Sequence, residues 1–218
     1  MAIRPKTTSP IQPVQRTATV QYGRLLLYLT IVWNSVECAV GLLAGFWAGS
    51  IALIGFGFDS AIEVTSSLAA LWRLWHDHDE ARREAVERRT MRIIGVCFLL
   101  LAAYILYEAV ETLIRREVPD HSLIGIVLAA LSLIVMPLLV RLKRRVAIQM
   151  ESGALEAEAR QTEMCAYLSA ILLAGLGLNV WLGWWWADPI AGLTMVPLIG
   201  WEGLEAVRGQ TCCAHRSN

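Results

Sequence analysis

Hydrophobic positions along this chain of 218 residues occur in long, nearly uninterrupted runs, and polar residues are concentrated between them. Runs of about 18 or more apolar residues are typical of helices that cross a membrane. The chain contains six candidate runs, near residues 24–46, 51–75, 92–114, 122–141, 154–179 and 187–208. The pattern therefore predicts an all-α membrane protein folded as a bundle of six transmembrane helices.

The flanks of this hydrophobic region are polar and define the predicted domain organisation. Residues 1–20 lack an apolar core and are expected to form a disordered cytoplasmic tail, with no signal peptide. Residues 21–208 form the predicted six-helix transmembrane domain, and residues 209–218 a short cytoplasmic tail. The hydrophobic share of 56% makes membrane lipid the expected surroundings of this domain.

Charge position predicts the orientation of the chain, whereas its formal net charge of zero gives no reason to expect a nucleic-acid partner. Lys and Arg are concentrated in the N-terminal tail, in 82–92 and in 141–145. The loops on the other side carry only Arg115 and Arg116. Because positive loops stay in the cytoplasm, we predict a multi-pass protein of the cell (inner) membrane with both termini cytoplasmic.

The second apolar run carries two acids one helical turn apart, Asp59 and Glu63. Counted from Ser50, they lie about 13 and about 19 Å along the helix, in a hydrocarbon core about 30 Å thick. A charge at that depth is costly, and two carboxylates so close repel each other unless a cation neutralises them. We therefore interpret the pair as functional, with a structural hydrogen-bonded pair as the alternative.

The fifth run repeats this arrangement with different side chains. Segments 50–63 and 152–165 both begin Ser-x-Ala-Leu, and the positions of Asp59 and Glu63 correspond to Gln161 and Cys165. Because the two helices run in opposite directions, the match predicts inverted three-helix repeats, a recurring design in transporters. Ordinary interhelical packing remains the alternative for Gln161 and Cys165.

Two carboxylates, an amide oxygen and a sulfur can surround a divalent cation with four ligands. Carboxylate and thiolate together suit zinc or a similar first-row metal, and sulfur argues against magnesium or calcium. We predict Asp59, Glu63, Gln161 and Cys165 as the ligands of a transported metal, zinc first, with Mn, Fe, Co or Cd as alternatives. No permanently bound cofactor is expected.

Other polar residues are weaker candidates. We expect those within the remaining helices to be interfacial or to support the site indirectly: Asn34, Glu37, Glu108, Glu111, Glu202 and Glu205. Glu158, just before the Gln/Cys pair, is a candidate for admitting metal to the site. Two polar clusters outside the apolar runs are candidate metal-gathering segments or plain solvated chain: His76–Asp79 and the tail residues Cys212, Cys213 and His215.

With these residues located, residues 20–208 resemble the cation diffusion facilitator family. Three stretches carry the resemblance: GSIALIGFGFDSAIEV (49–64), AEARQTEMCAYLSAILLAG (157–175) and ADPIAGL (187–193). The resemblance implies a homodimer that exchanges cytosolic divalent metal for protons through a tetrahedral site on helices 2 and 5. The matching positions are Asp59, Glu63, Gln161 and Cys165.

The chain departs from the family pattern at several of these positions. Family members have Asp at the position of Glu63, and His and Asp at those of Gln161 and Cys165. An Asp is also usual at the position of Glu158. Because the chain ends soon after helix 6, we expect a short, divergent branch without the cytoplasmic domain usual in the family.

Three classes of function are compatible with these observations. The favoured one is a secondary active transporter that exports a divalent transition metal by proton antiport. The first alternative is a non-transporting metal sensor or partner subunit on the same scaffold, which the replaced ligands support. The second is an intramembrane enzyme using Asp59 and Glu63 as an acid and base, but the sequence shows no second catalytic cluster, and we predict no enzymatic activity.

Overall fold

The computed structural model describes residues 13–75, 80–150 and 153–208, with side chains over 19–72, 92–150 and 155–208. This part of the chain is helical and contains no strand. Each of its six helices is long and apolar enough to cross a membrane. Their bounds are α1 Pro13–Ala48, α2 Ile51–Trp75, α3 Glu80–Arg115, α4 Leu123–Met150, α5 Gly153–Leu182 and α6 Ala187–Arg208. The predicted six-helix fold class is confirmed.

The helices extend beyond the apolar runs that predicted them. The basic segments 82–92 and 141–145, which we expected in loops, lie within α3 and α4. Both are rich in strong helix formers and contain neither Gly nor Pro, so nothing in them stops the helix at the edge of the apolar run. The first helix begins at Pro13, inside the segment expected to be a tail, and residues 1–12 lie outside the described residues.

Glycine brings α1 and α2 into close contact. A Cβ at Gly41 would lie 3.3 Å from Cα of Gly57, and a Cβ at Gly45 would lie 2.9 Å from the backbone nitrogen of Ile54. Small residues at this spacing let two helix backbones approach. One turn deeper, the hydroxyl of Ser60 donates to Glu37. The two helices therefore run antiparallel, with Glu37 opposite Ser60.

The packing is similar when the two halves of the chain are exchanged. The contact between α1 and α2 in the first half corresponds to the contact between α4 and α5 in the second half. Three further pairs join equivalent helices of the two halves: α1 with α4, α2 with α5 and α3 with α6. Helices α1 and α4 run antiparallel, since Gly23 lies beside Val146 and Gly41 beside Leu128. This pattern supports the inverted-repeat interpretation, which remains a prediction.

The turn between α1 and α2 is anchored by α6. Gly49 has a φ of 62°, a left-handed conformation that glycine adopts readily at the end of a helix. Ser50 then caps α2, accepting a hydrogen bond from the backbone of Leu53 at 3.2 Å. The carboxylate of Asp188 accepts from the Ser50 hydroxyl at 2.6 Å and from the backbone nitrogen of Ile51 at 2.9 Å. The buried Asp188 thus sets where α2 begins.

Candidate metal centre

The two acids of α2 are buried in the centre of the bundle. Asp59 is 4% exposed and Glu63 1% exposed. They lie four residues apart and therefore share one face of the helix. Their helix packs against α1, α3, α5 and α6, so neither carboxyl group can reach the water outside the bundle. Both acids therefore lie inside the protein, away from its outer surface, and their functional role remains a prediction.

The cysteine of α5 meets both acids. Cys165 is 1% exposed, and its thiol interacts electrostatically with the carboxyl groups of Asp59 and Glu63. Glu37 of α1 also acts electrostatically on Asp59 and Glu63. Two hard oxygen donors and one soft sulfur donor are therefore gathered in one dry region between α2 and α5.

Gln161 is less buried than its three predicted partners. It is half-buried, and its Nε2 is buried without a hydrogen-bond partner among the described residues. The α5 residue that contacts Glu63 is instead the next one along the helix: the Thr162 hydroxyl donates to Oε1 of Glu63 at 2.6 Å. The other carboxylate oxygen, Oε2, makes no hydrogen bond to the part of the chain that the structure describes. That Gln161 belongs to the site remains a prediction.

In the conformation of this structure, the candidate ligands do not form a coordination shell. Over the described ranges, no three His, Cys, Asp or Glu side chains are grouped so that they could hold a metal ion. Binding by Asp59, Glu63 and Cys165 therefore requires changes of side-chain rotamer that bring their donor atoms together. Within the same ranges, the amide nitrogen of Gln161 and Oε2 of Glu63 make no hydrogen bond that would resist such changes.

Two polar residues of α1 belong to the same region. Glu37 is wholly buried and accepts hydrogen bonds from Trp33 Nε1 at 2.6 Å and from the Ser60 hydroxyl at 3.3 Å. Because Glu37 lies opposite Ser60 on the antiparallel α2, Asn34 one turn earlier lies opposite Glu63. Asn34 is buried, and both polar atoms of its side chain lack a hydrogen-bond partner in the described part of the chain. We expect both residues to be interfacial or to support the site indirectly, and their burial is compatible with a supporting role.

A buried cation lies beyond the acids, at the level of Ser66 and Ser67 of α2. The charge pattern places Lys143 in a basic loop segment, but its side chain is 0% exposed. Its Nζ lies 3.2 Å from Oε2 of Glu158 and donates to the Thr162 hydroxyl at 2.8 Å. The correction has a simple cause: α4 continues through this segment and turns this one basic residue toward α5, while Arg144 remains half-exposed.

Glu158 accepts several hydrogen bonds within this network. In addition to Lys143, its partners are the Ser66 hydroxyl at 2.6 Å and the Ser67 hydroxyl at 2.8 Å, both on α2. It is 3% exposed. Sequence reasoning singled out Glu158 but missed Lys143, Thr162 and the two serines. The available signal was spacing: Ser66 and Ser67 lie one turn beyond Glu63, and Thr162 one turn beyond Glu158.

The remaining candidates are peripheral or undescribed. Glu111 is partly buried and pairs with the exposed Arg115 at 2.5 Å, and Glu108 is partly buried on the same helix. Glu205 is exposed, whereas Glu202 is partly buried and interacts electrostatically with Asp59 and Glu63. Two predicted metal-gathering segments lie outside the described residues: His76–Asp79 and the tail residues Cys212, Cys213 and His215.

Comparison with known proteins agrees with this architecture. A family model described as the cation efflux transmembrane domain matches residues 27–209. The cation-efflux pump FieF of Shewanella oneidensis is 25% identical over 203 residues, which cover 87% of this chain and 67% of that protein. The FieF pump of Klebsiella pneumoniae is 24% identical over 79% of this chain and 60% of its own length. An uncharacterised transporter of Synechocystis, sll1263, is 24% identical over 83% and 61%.

The chain thus spans about two thirds or less of the length of these curated relatives. The matched region contains the buried residues of α2 and α5 and nearly all of the apolar part of the six helices. The six membrane-crossing helices, together with a family match over most of the chain, support one conclusion. The chain is an integral, multi-pass membrane protein of the cation efflux family.

Proposed function

We propose that this chain is a secondary active transporter that moves a divalent transition-metal cation, zinc in the first instance, out of the cytoplasm. The observation that carries the proposal is the burial of Asp59, Glu63 and Cys165 together inside membrane-crossing helices. Ionisable residues at that depth are expensive and usually mark an ion pathway. Two relatives of the chain are named cation-efflux pumps, which agrees with this role.

Each proposed ligand has a distinct task. Asp59 and Glu63 supply negative charge that compensates the cation for its lost hydration. Cys165 supplies a soft donor that favours zinc, cobalt or cadmium over magnesium and calcium. The amide oxygen of Gln161 supplies the fourth position after a rotation of its side chain. Permanent cofactors have no place in this scheme, because the metal is the cargo.

We further propose that protons drive the export. Carboxylate and thiol ligands bind metal in their deprotonated forms, so protons compete with metal for the same atoms. A site that opens to a more acidic outer solution therefore exchanges its metal for protons, and it returns protonated to the cytoplasmic side. This competition couples the two fluxes without a nucleotide.

Orientation and assembly belong to the same proposal. Arg115 and Arg116 lie at one end of the bundle. Basic residues of four helices lie at the opposite end: Arg24, Arg92, Arg141, Arg144, Arg145 and Arg208. By the positive-inside rule, we assign this opposite end, with both termini, to the cytoplasm of the cell membrane. A homodimer within the membrane is the assembly that we propose from the family.

The decisive experiment is flux of Zn²⁺ into proteoliposomes containing the purified chain, with the Asp59→Asn variant as a matched control. The proposal expects flux from the wild-type chain and none from the variant. Zn²⁺ binding without flux in the wild type would favour the sensor or partner-subunit alternative. Equal flux from both chains would show that the buried acids are a structural lock and would overturn the proposed site.

A further inference from the structure

The charges near the candidate site include a positive one, that of Lys143. Buried lysines are rare unless paired, since an unpaired ammonium loses its hydration without compensation. Lys143 is wholly buried and lies 3.2 Å from Glu158. Its charge also acts on Glu63. A positive charge is therefore built into the same dry region as the proposed metal ligands.

One hydroxyl connects this cation directly to the site. The Nζ of Lys143 donates to Thr162 at 2.8 Å. The single Thr162 hydroxyl proton has two acceptors within reach, the backbone oxygen of Glu158 at 3.0 Å and Oε1 of Glu63 at 2.6 Å, and we assign it to the shorter bond. The chain of bonds joins α4, α5 and α2. Since Thr162 accepts from a cation, its own hydroxyl proton is polarised toward the Glu63 carboxylate, and the bond is strengthened.

We infer that Lys143 is a tethered counter-cation of the candidate metal site. Its ammonium, held between Glu158 and the Thr162–Glu63 bond, balances the carboxylates whenever no metal is bound and repels a divalent cation that enters. This inference rests on the proposed function and deepens it. Lys143 acts on the ligand Glu63 through Thr162, so it is a positioning residue whose charge tunes how tightly metal is held.

Such a residue serves a transporter because binding must be weak enough to permit release. Two like charges several ångströms apart in a poorly hydrated interior repel substantially. Without Lys143 the acids would hold a divalent metal more tightly and release it more slowly. The expected signature is a lower KM for metal flux together with a lower maximal rate, which simple damage to the fold would not produce.

Substitution of Glu158 provides a control with the opposite expected effect on metal affinity. Removing its charge leaves the ammonium uncompensated beside Glu63, so metal binding should weaken. Removing both charges should return the affinity toward the wild-type value. The chain also contains a matched exposed pair on the same two helices, Arg144 with Glu163, one residue after Lys143 on α4 and five after Glu158 on α5. Neutralising that pair should leave metal affinity unchanged.

The test is Zn²⁺ titration of the detergent-solubilised full chain by calorimetry, with thermal unfolding as a check of folding. Lys143→Met should bind Zn²⁺ about tenfold more tightly or better. Glu158→Gln should bind it more weakly, and the double variant should lie between them. Lys143→Arg, which keeps the charge, should stay near wild type, as should Arg144→Gln/Glu163→Gln.

Different outcomes of this test would overturn the proposed function and the counter-cation role. Wild-type protein that binds no Zn²⁺ overturns the proposed function and this inference with it. Wild-type binding with unchanged or weaker affinity in Lys143→Met overturns the counter-cation role alone. If Lys143→Met does not fold, the sign of the Glu158→Gln effect decides: unchanged or tighter binding in that variant also overturns the inference.

Discussion

The Thr162 hydroxyl lies 2.6 Å from Oε1 of Glu63, and this one contact joins α5 to the acidic face of α2 at the level of the candidate site. The partner oxygen Oε2 has no hydrogen bond to any described residue. Glu63 is thus held on one side and open on the other. The Thr162 bond holds Oε1 in this conformation, and Oε2 is the oxygen left without a hydrogen bond that a cation could use once the proposed ligands converge.

Removing the charge of Asp59 tests the site most directly. Asp59→Asn keeps the shape of the side chain but cannot neutralise a cation, so we expect Zn²⁺ binding by the solubilised protein to be lost. Thermal unfolding without metal should show a folded chain of at least wild-type stability, because the variant also relieves repulsion with Glu63. Retention of wild-type affinity would contradict the assignment of Asp59 as a ligand.

The sulfur of Cys165 should determine metal preference. Cys165→Ser replaces a soft donor with a hard one of similar size, so selectivity should shift from Zn²⁺ and Cd²⁺ toward Mn²⁺. Cys165→Asp adds a third carboxylate at the position where the family has one and should improve Zn²⁺ handling. Competition titrations with Zn²⁺, Cd²⁺ and Mn²⁺ measure both shifts. An unchanged metal order in both variants would remove Cys165 from the site.

Proton coupling predicts a dependence on the direction of the pH gradient. Flux should accelerate when the receiving side of the membrane is acidic relative to the cytoplasmic side, since protons there displace the metal from its ligands. Stopped-flow Zn²⁺ flux into proteoliposomes with imposed gradients of either sign measures this. A rate insensitive to the gradient would eliminate antiport while leaving metal transport intact.

Gly95 should be essential for packing α3 against α6. A Cβ at this position would lie 2.7 Å from the carbonyl oxygen of Gly203 and 2.7 Å from the backbone nitrogen of Val207, two backbone atoms that cannot rotate away. We expect Gly95→Ala to destabilise the protein by about 1–3 kcal/mol through this overpacking.

The control for this variant lies on α6 itself. A Cβ at Gly200 would meet no atom of the described residues within 4 Å, so Gly200→Ala should be neutral or slightly stabilising because alanine favours helix. Thermal unfolding in detergent compares the two variants. Equal melting temperatures would show that α3 and α6 are not in close contact.

The orientation can be tested by labelling with a membrane-impermeant thiol reagent in intact cells. In a chain carrying Cys212→Ser and Cys213→Ser, a cysteine placed at the exposed His121, between α3 and α4, should be labelled from outside. In the parent chain Cys212 should be protected until the membrane is permeabilised. The reverse pattern would invert the topology and the direction of export with it.

The apolar runs alone predicted the number and order of the helices. This success has a physical reason: in lipid every backbone polar group must be satisfied within its own segment, so a long apolar run has essentially no alternative to a helix. Asp59 and Glu63 could also be identified without a structure, because an acid inside such a run is too costly to be incidental.

Tertiary structure decided which face each helix turns toward its neighbours, because helix rotation is determined by packing and not by hydrophobicity. It buried Lys143, which the charge pattern assigned to a loop, and left Arg144 next to it half-exposed. It directed Thr162 rather than Gln161 at Glu63, and it brought Asn34 and Glu37 of α1 into the acidic region. Composition does not determine these choices and spacing only narrows them, since each depends on shape complementarity between helices distant in the chain.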